Sequence, residues 1–280
     1  MRTGRTLVIA FAVGSASLSA LRAQSTTLAI KPRVGDTLRM RLDQESEMTG
    51  VRKTTAGEMS AIVVTTMKMF SRAIVEGAHD GATAVLAVTD SVRLSTTDDH
   101  SRAAAALAES QMSGQRVRFR VMPDGTVGML SIGGSANTEV AQVVSLMPAT
   151  FPTSAIKVGE SWIREMPLPD GTQIGARLTG KLHCTFRLDS LTHGGEWAYV
   201  SMRGDMEPAK GPGAAANTVL ESGMVNGTMV VDQKRGWLTE SWFNIVVNSL
   251  QTFAPATGVL SMRVHTRITQ HMHTFGRRER

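Results

Sequence analysis

At 280 residues with 42% hydrophobic side chains, the chain is long enough to bury an apolar core in one or two domains. Its formal charge of +6 overstates its basicity: three of the 30 basic residues (Arg2, Arg5 and Arg22) lie in a leader, leaving 27 against 24 acidic ones. With no clustered basic charge and 5% aromatic residues, the body excludes nucleic acid as a partner, and the single cysteine excludes an internal disulfide framework.

The chain opens with basic Met1 to Arg5, continues uncharged and mostly apolar from Thr6 to Leu21, and reaches small residues before Ala23-Gln24. That order predicts a secretory signal peptide over 1–23, cleaved after Ala23. The apolar run is shorter than the ~20 residues that cross a bilayer. The mature protein is therefore expected to be exported, periplasmic or extracellular, and not membrane-spanning after cleavage. No cysteine near residue 24 offers a lipid anchor.

Beyond the leader, most of the chain reads with the period of two that sends alternate strand side chains to opposite faces. Leu38, Met40, Leu42 and Met48 alternate with Arg39, Arg41, Asp43, Glu45 and Glu47. Met59, Met67 and Met69 share one parity of the next strand. Helical spacing follows from His100 to Met112, behind an acidic start at Asp98-Asp99, and again from Asn137 to Met147, with a cap in Asn137 and a stop at Pro148. Cys184 alternates in phase with Leu182, Phe186 and Leu188, which predicts a buried, unreactive thiol. Glu207 to Ala216 is a loop by its prolines and glycines. Leu260, Met262, Val264, Ile268 and Met272 then oppose Arg263, His265, Arg267, His271 and His273. Turns at Pro123-Asp-Gly125, Pro169-Asp-Gly171, His193-Gly-Gly195 and Lys234-Arg-Gly236 separate the runs. The expected fold is mainly β: long, curved antiparallel sheet in two similar halves, with two short α-helices laid against it.

The halves rest on three ordered matches. Val34-Gly-Asp-Thr-Leu38 matches Val158-Gly-Glu-Ser-Trp162; Asp80 to Val88 matches Gly194 to Met202; Val117 to Val127 matches Gly227 to Leu238. They divide the mature chain into 24–150, with both helices, and 151–274, followed by a basic tail, 275–280. The junction falls near Pro148 to Pro152. The tandem reading makes residues 24–150 one contiguous β-layer. Pairing between the strand around Leu38 and the C-terminal strand near Val264 would instead show one interwoven sheet and reduce the repeat, and the boundary near Pro152, to chance.

The Val-Gly-Asp near the mature start, Phe151-Pro152, Val158-Gly-Glu-Ser-Trp162, the Pro-Asp-Gly turn, and Val231-Asp232 followed by Gly236-Trp-Leu-Thr-Glu-Ser241 resemble an uncharacterised family of secreted bacterial β-proteins, some of them lipoproteins. The resemblance spans most of the mature chain. Its motifs are turn and strand-start residues, so it implies a fold and carries over no catalytic residue. A curved, methionine-faced sheet is also reminiscent of periplasmic lipoprotein and lipid carriers.

No motif for catalysis or for a cofactor stands out. Gly133-Gly-Ser-Ala-Asn137 lacks the final glycine of a nucleophile elbow. His271 and His273, two apart on a strand, are weak metal candidates: they point to one side, but no third ligand is identifiable and Arg263 and Arg267 share their face. Asp43, Glu45 and Glu47 fall on the wet face, where no burial raises a carboxylate pKa for acid–base work. Methionine is more informative. There are 17, and methionine's flexible thioether fills irregular apolar space. Met59, Met67, Met69, Met262 and Met272 are the expected face for a hydrophobic ligand such as a lipid. The expected function is a non-enzymatic envelope protein binding such a ligand or an exported partner. The alternatives are a structural or assembly protein that docks envelope partners through sheet edges, and a hydrolase of unrecognised type.

Overall fold

The computed structural model describes residues 25–54, 57–133, 151–168, 180–208, 218–253 and 260–276. The signal peptide, the second predicted helix, the Pro169-Asp-Gly171 turn and residues 277–280 of the basic tail lie outside them. In chain order the elements are β1 (Ser25–Thr26), β2 (Thr37–Thr54), β3 (Gly57–His79), β4 (Ala82–Thr96), α1 (Arg102–Met112), β5 (Arg116–Val121) and β6 (Val127–Gly133). They continue as β7 (Ile156–Lys157), β8 (Ser161–Pro167), β9 (Gly180–Thr192), β10 (Trp197–Pro208), β11 (Thr218–Asp232), β12 (Trp237–Phe253) and β13 (Leu260–Thr274).

Eleven strands form one antiparallel sheet in the order β6-β5-β4-β3-β2-β13-β12-β11-β10-β9-β8. The first half of the chain runs outward from β2 to β6. The second runs inward from β8 to β13. The seam is β2 against β13, with Arg263 opposite Val51 and Thr274 opposite Met40. This is the pairing of one interwoven sheet, which counts against the tandem repeat and against a boundary near Pro152. The outer faces are complementary at one point of this seam: Arg267 lies directly opposite Glu47 and pairs with it at 2.9 Å.

The three matched segments nonetheless fall at the same steps of each half, before β2 and β8, before β4 and β10, and between β5–β6 and β11–β12. The first pair makes the same turn bond for bond. Gly35 N–H donates to Val75 O (2.9 Å) and Val75 N–H to Asp36 O (2.9 Å); Gly159 N–H donates to Leu188 O (2.7 Å) and Leu188 N–H to Glu160 O (3.0 Å). Gly35 and Gly159 have φ of 87° and 90°, a backbone state that costs glycine nothing.

Cross-strand partners share a face, and the burial alternates accordingly. One face, termed inner here, carries Leu38, Leu42, Met67, Ala73, Phe186, Met202, Met229 and Met272, all buried in one cluster. The other carries the charges. The N-terminal segment and the segment around Phe151 to Lys157 close one end of this inner face. The segment after β1 crosses the hairpin turns, donating Ile30 N–H to Pro123 O and Lys31 N–H to Gly236 O, both at 2.8 Å. Leu28, Ile30, Phe151 and Ile156 are buried there.

The first predicted helix is present, its opening turn a 3-10 segment over Asp99–Ser101. Asp98 caps it, accepting from His100 N–H and from the Ser101 hydroxyl, and the Ser101 bond first of all holds the Asp98 carboxyl below its ordinary pKa. The helix substitutes for a strand. β5 pairs only the Thr83–Val88 part of β4, and Glu109 of α1 accepts the N–H of Leu94 further along at 3.0 Å.

Candidate functional site

The inner face holds a cavity of about 100 Å³. Its walls come from four places. Met40 and Leu42 of β2, Met69 and Ser71 of β3, and Ala87 and Thr89 of β4 form the floor. Phe119, Val121 and Val127 of β5–β6 and Met112 of α1 form one side. Gln270 and Met272 of β13 form the other. Ile30, Trp237 and Leu238 shut the end where the N-terminal segment crosses. No charged residue lines it among the described residues.

Alternation explains the floor. Met40 faces Ser71 across the β2–β3 pair, and Ser71 faces Thr89 across β3–β4. Hydroxyls there are short, so that row leaves space that larger side chains would fill. Trp237 reaches the cavity because the turn before it is tight. Gly236 sits at φ +63°, and a Cβ on it would stand 2.3 Å from Lys31 O. Only glycine lets the N-terminal segment pass so close.

All five predicted methionines lie on the inner face. Met59, Met67 and Met69 pair with Arg52, Gln44 and Leu42, and Met272 with Leu42 on the other side of β2. Met262 comes within reach of Gly50, where a Cβ would meet its Sδ at 2.9 Å. Only Met69 and Met272 line the cavity. Met67 is buried beside it, and Met59, 57% exposed, stands towards the far end of β3. Sequence reading missed Met40, which shares the parity of Leu38 and Leu42 and was findable by it. It also missed Met112, Ala87, Gln270 and Trp237, whose meeting depends on strand order.

The Trp237 side chain is 7% exposed, and its Nε1 is buried with no hydrogen-bond acceptor among the described residues.

The other predicted groups lie elsewhere. Cys184 is fully buried, and burial first, then the nearby Asp205 charge, pushes its thiol up to about 11. His271 and His273 are on the outer face of β13. His271 Nε2 is 3.0 Å from Glu240 Oε1, and His273 stands edge-on to Phe275. Among the described residues, no three His, Cys, Asp or Glu side chains come together as a metal site. An outer-face groove between Tyr199 and Trp242 is bordered by Asp189, Glu240 and His271. Its carboxylates are engaged, Glu240 by His271 and Asp189 by Arg187 at 3.9 Å.

No family model matches the chain, and no curated protein matches it. Among solved structures it aligns with an outer membrane channel from Pseudomonas putida F1 at 9% identity and TM-score 0.23, over 88% of this chain and 98% of that one. It aligns with OpdQ of Pseudomonas aeruginosa at 7% identity and TM-score 0.23, over 86% and 98%. A lipoprotein-sorting protein domain of the outer membrane from Vibrio parahaemolyticus aligns at 11% identity and TM-score 0.14, over 85% and 87%. Scores of this size carry no functional argument. No described helix is long and apolar enough to cross a membrane. The outer face of β2 and β13 carries Arg39, Asp43, Glu45, Glu47, Arg263 and Arg267 along its length, where a lipid-facing strand would show an apolar band. What the fold shows is a mainly antiparallel β-protein.

Proposed function

We propose that this is an exported, non-enzymatic envelope protein that holds part of an apolar ligand on the inner face of its sheet. The observation that carries the reading is the cavity itself: apolar walls, three methionines among Met40, Met69 and Met272 on adjacent strands, and no charge. Pockets for drug-sized ligands run to ~300–1,000 Å³. This one is smaller, so it takes the end of a chain and not a whole lipid. Methionine side chains can swing to widen it at little cost. The resemblance to secreted bacterial β-proteins belongs to the same reading.

The test is a titration of the mature protein with a fluorescent long-chain probe, followed by displacement with extracted envelope lipids identified by native mass spectrometry. Binding should weaken at least tenfold in Ala87→Phe, which fills the floor, and remain in Tyr199→Ala on the opposite face. Equal binding by both variants would move the ligand out of the cavity and reject the reading.

One observation favours a second reading. Among the described residues the sheet ends at β8, whose Ile163 is 69% exposed. Such an edge can take another strand. Cross-linking at position 163 to an envelope protein, with no lipid recovered, would favour docking through that edge.

A further inference from the structure

Basic residues that stand apart in the sequence meet on the outer face of β2–β5. β5 presents Arg116, Arg118 and Arg120 there, because Val117, Phe119 and Val121 take the inner face. Further across, Arg39 of β2 lies directly opposite Arg72 of β3, and Lys68 of β3 directly opposite Arg93 of β4. Like charges that face each other across strands destabilise a sheet. The β8–β10 side is arranged the other way, with Lys181 opposite Glu207 and Glu165 opposite His183.

Part of the charge is compensated. Asp43 holds Arg41 and Asp90 holds Arg72, both at 2.7 Å; Glu76 holds Arg118 and Glu109 holds Arg93, both at 3.0 Å. Eight cations still stand against these four carboxylates. Residues outside the described segments do not redress the balance. Beyond the leader they hold three carboxylates, Glu139, Asp170 and Glu279, against five basic residues.

From this we infer that the outer face of β2–β5 docks the protein onto an anionic lipid surface, whose headgroups compensate the excess cations. Extent argues against a small anion as the occupant. The charges spread across three strand spacings, about 14 Å, whereas a single phosphate needs donors that converge on one point. Phe70 argues for a lipid interface. It is 42% exposed on the same face, opposite Arg41, whose guanidinium lies 5.9 Å from its ring centroid. An exposed aromatic among arginines suits the boundary between headgroups and acyl chains. The choice of a lipid over an acidic protein rests on the apolar-ligand reading above. The cavity lies on the inner face of these same strands, so docking there brings it to a source of apolar chains.

The experiment is sedimentation of the mature protein with vesicles of phosphatidylcholine alone or mixed with phosphatidylglycerol. Binding should require phosphatidylglycerol and fade as salt rises toward ~1 M, where the screening length falls to about 3 Å. Arg116→Gln with Arg120→Gln should weaken it about thirtyfold. Arg203→Gln with Lys234→Gln removes the same charge from exposed positions of the other half and should change binding less than about twofold. Equal losses in the two double variants would reduce the effect to net charge and overturn the inference. So would binding of polyglutamate or inorganic phosphate with no binding of vesicles, which would reassign the face to an acidic protein or a small anion. Ala87→Phe, which fills the cavity, should bind vesicles as the unaltered protein does. Loss of vesicle binding therefore leaves the cavity reading standing, and failure of the probe titration leaves the docking face standing. The lipid and salt dependence are read on the unaltered protein and decide the matter even if a variant folds poorly.

Discussion

The two sides of the sheet are built to different densities. On the β8–β12 side, large side chains interlock with small ones. Trp162 stacks on Phe186 with centroids 5.4 Å apart, Phe243 lies against Gly227, and Cys184 against Gly204. A Cβ on Gly227 would come 2.3 Å from the Phe243 ring, so the glycine is there to receive the aromatic. On the β2–β4 side the same inner face carries Met40, Met69, Ser71, Ala87 and Thr89, and a cavity remains. Both sides alternate with the same period and bury the same parity. The difference lies in volume: aromatic-on-glycine pairs close space, whereas methionine with alanine and hydroxyls leaves it adjustable. One side is a scaffold and the other is where something else can be accommodated.

The most direct way to break this contrast is Phe186→Ala. Phe186 is fully buried, and truncation should cost ~3–5 kcal/mol, read as a lowered denaturation midpoint. A loss below about 1 kcal/mol would show the filled side to be as slack as the other.

The second prediction concerns pH. The Cys184 thiol is raised from 9.0 to about 11 in the folded protein. Below pH 9 both states are protonated and its contribution is complete. Between 9 and 11 the unfolded chain gives up its proton first, so stability falls as pH rises, by on the order of 2 kcal/mol in total. Cys184→Ala should remove that part of the slope in urea titrations across the range. Thiol labelling of the native protein should be slow and should accelerate on denaturation.

The smaller effects sharpen the comparison through one substitution made on each side. Ala198 is fully buried on the filled side, and Ala198→Leu should overpack it and cost ~1–3 kcal/mol. Ala87 borders the cavity, and Ala87→Leu should shift stability by less than ~1 kcal/mol, because there is room for the added methylenes. Equal costs would mean that the cavity is not available space.

Local rules account for much of what was readable. The strand faces followed from alternation, because the pleat alternates side chains whatever lies beside it. Cys184, the acidic stretch of β2, the shared parity of Met59, Met67 and Met69 and that of Met262 and Met272, and the capped start of α1 all follow from that or from similarly local chemistry. The turn glycines were readable too, since φ of 87° and 90° demands glycine in any context. The β2–β13 seam was not read, although Glu47 and Arg267 hinted at it: the two strands lie more than 200 residues apart, and opposite charges on two strands do not say that they are neighbours. The cavity was out of reach for the same reason. It exists because β13 returns to β2 and the N-terminal segment crosses at Gly236 beside Trp237. Sequence by itself determined which way each side chain faces, a property of single strands. Tertiary structure decided which faces meet and how much space they leave, because volume and hydrogen-bond satisfaction belong to groups that only closure of the sheet brings together.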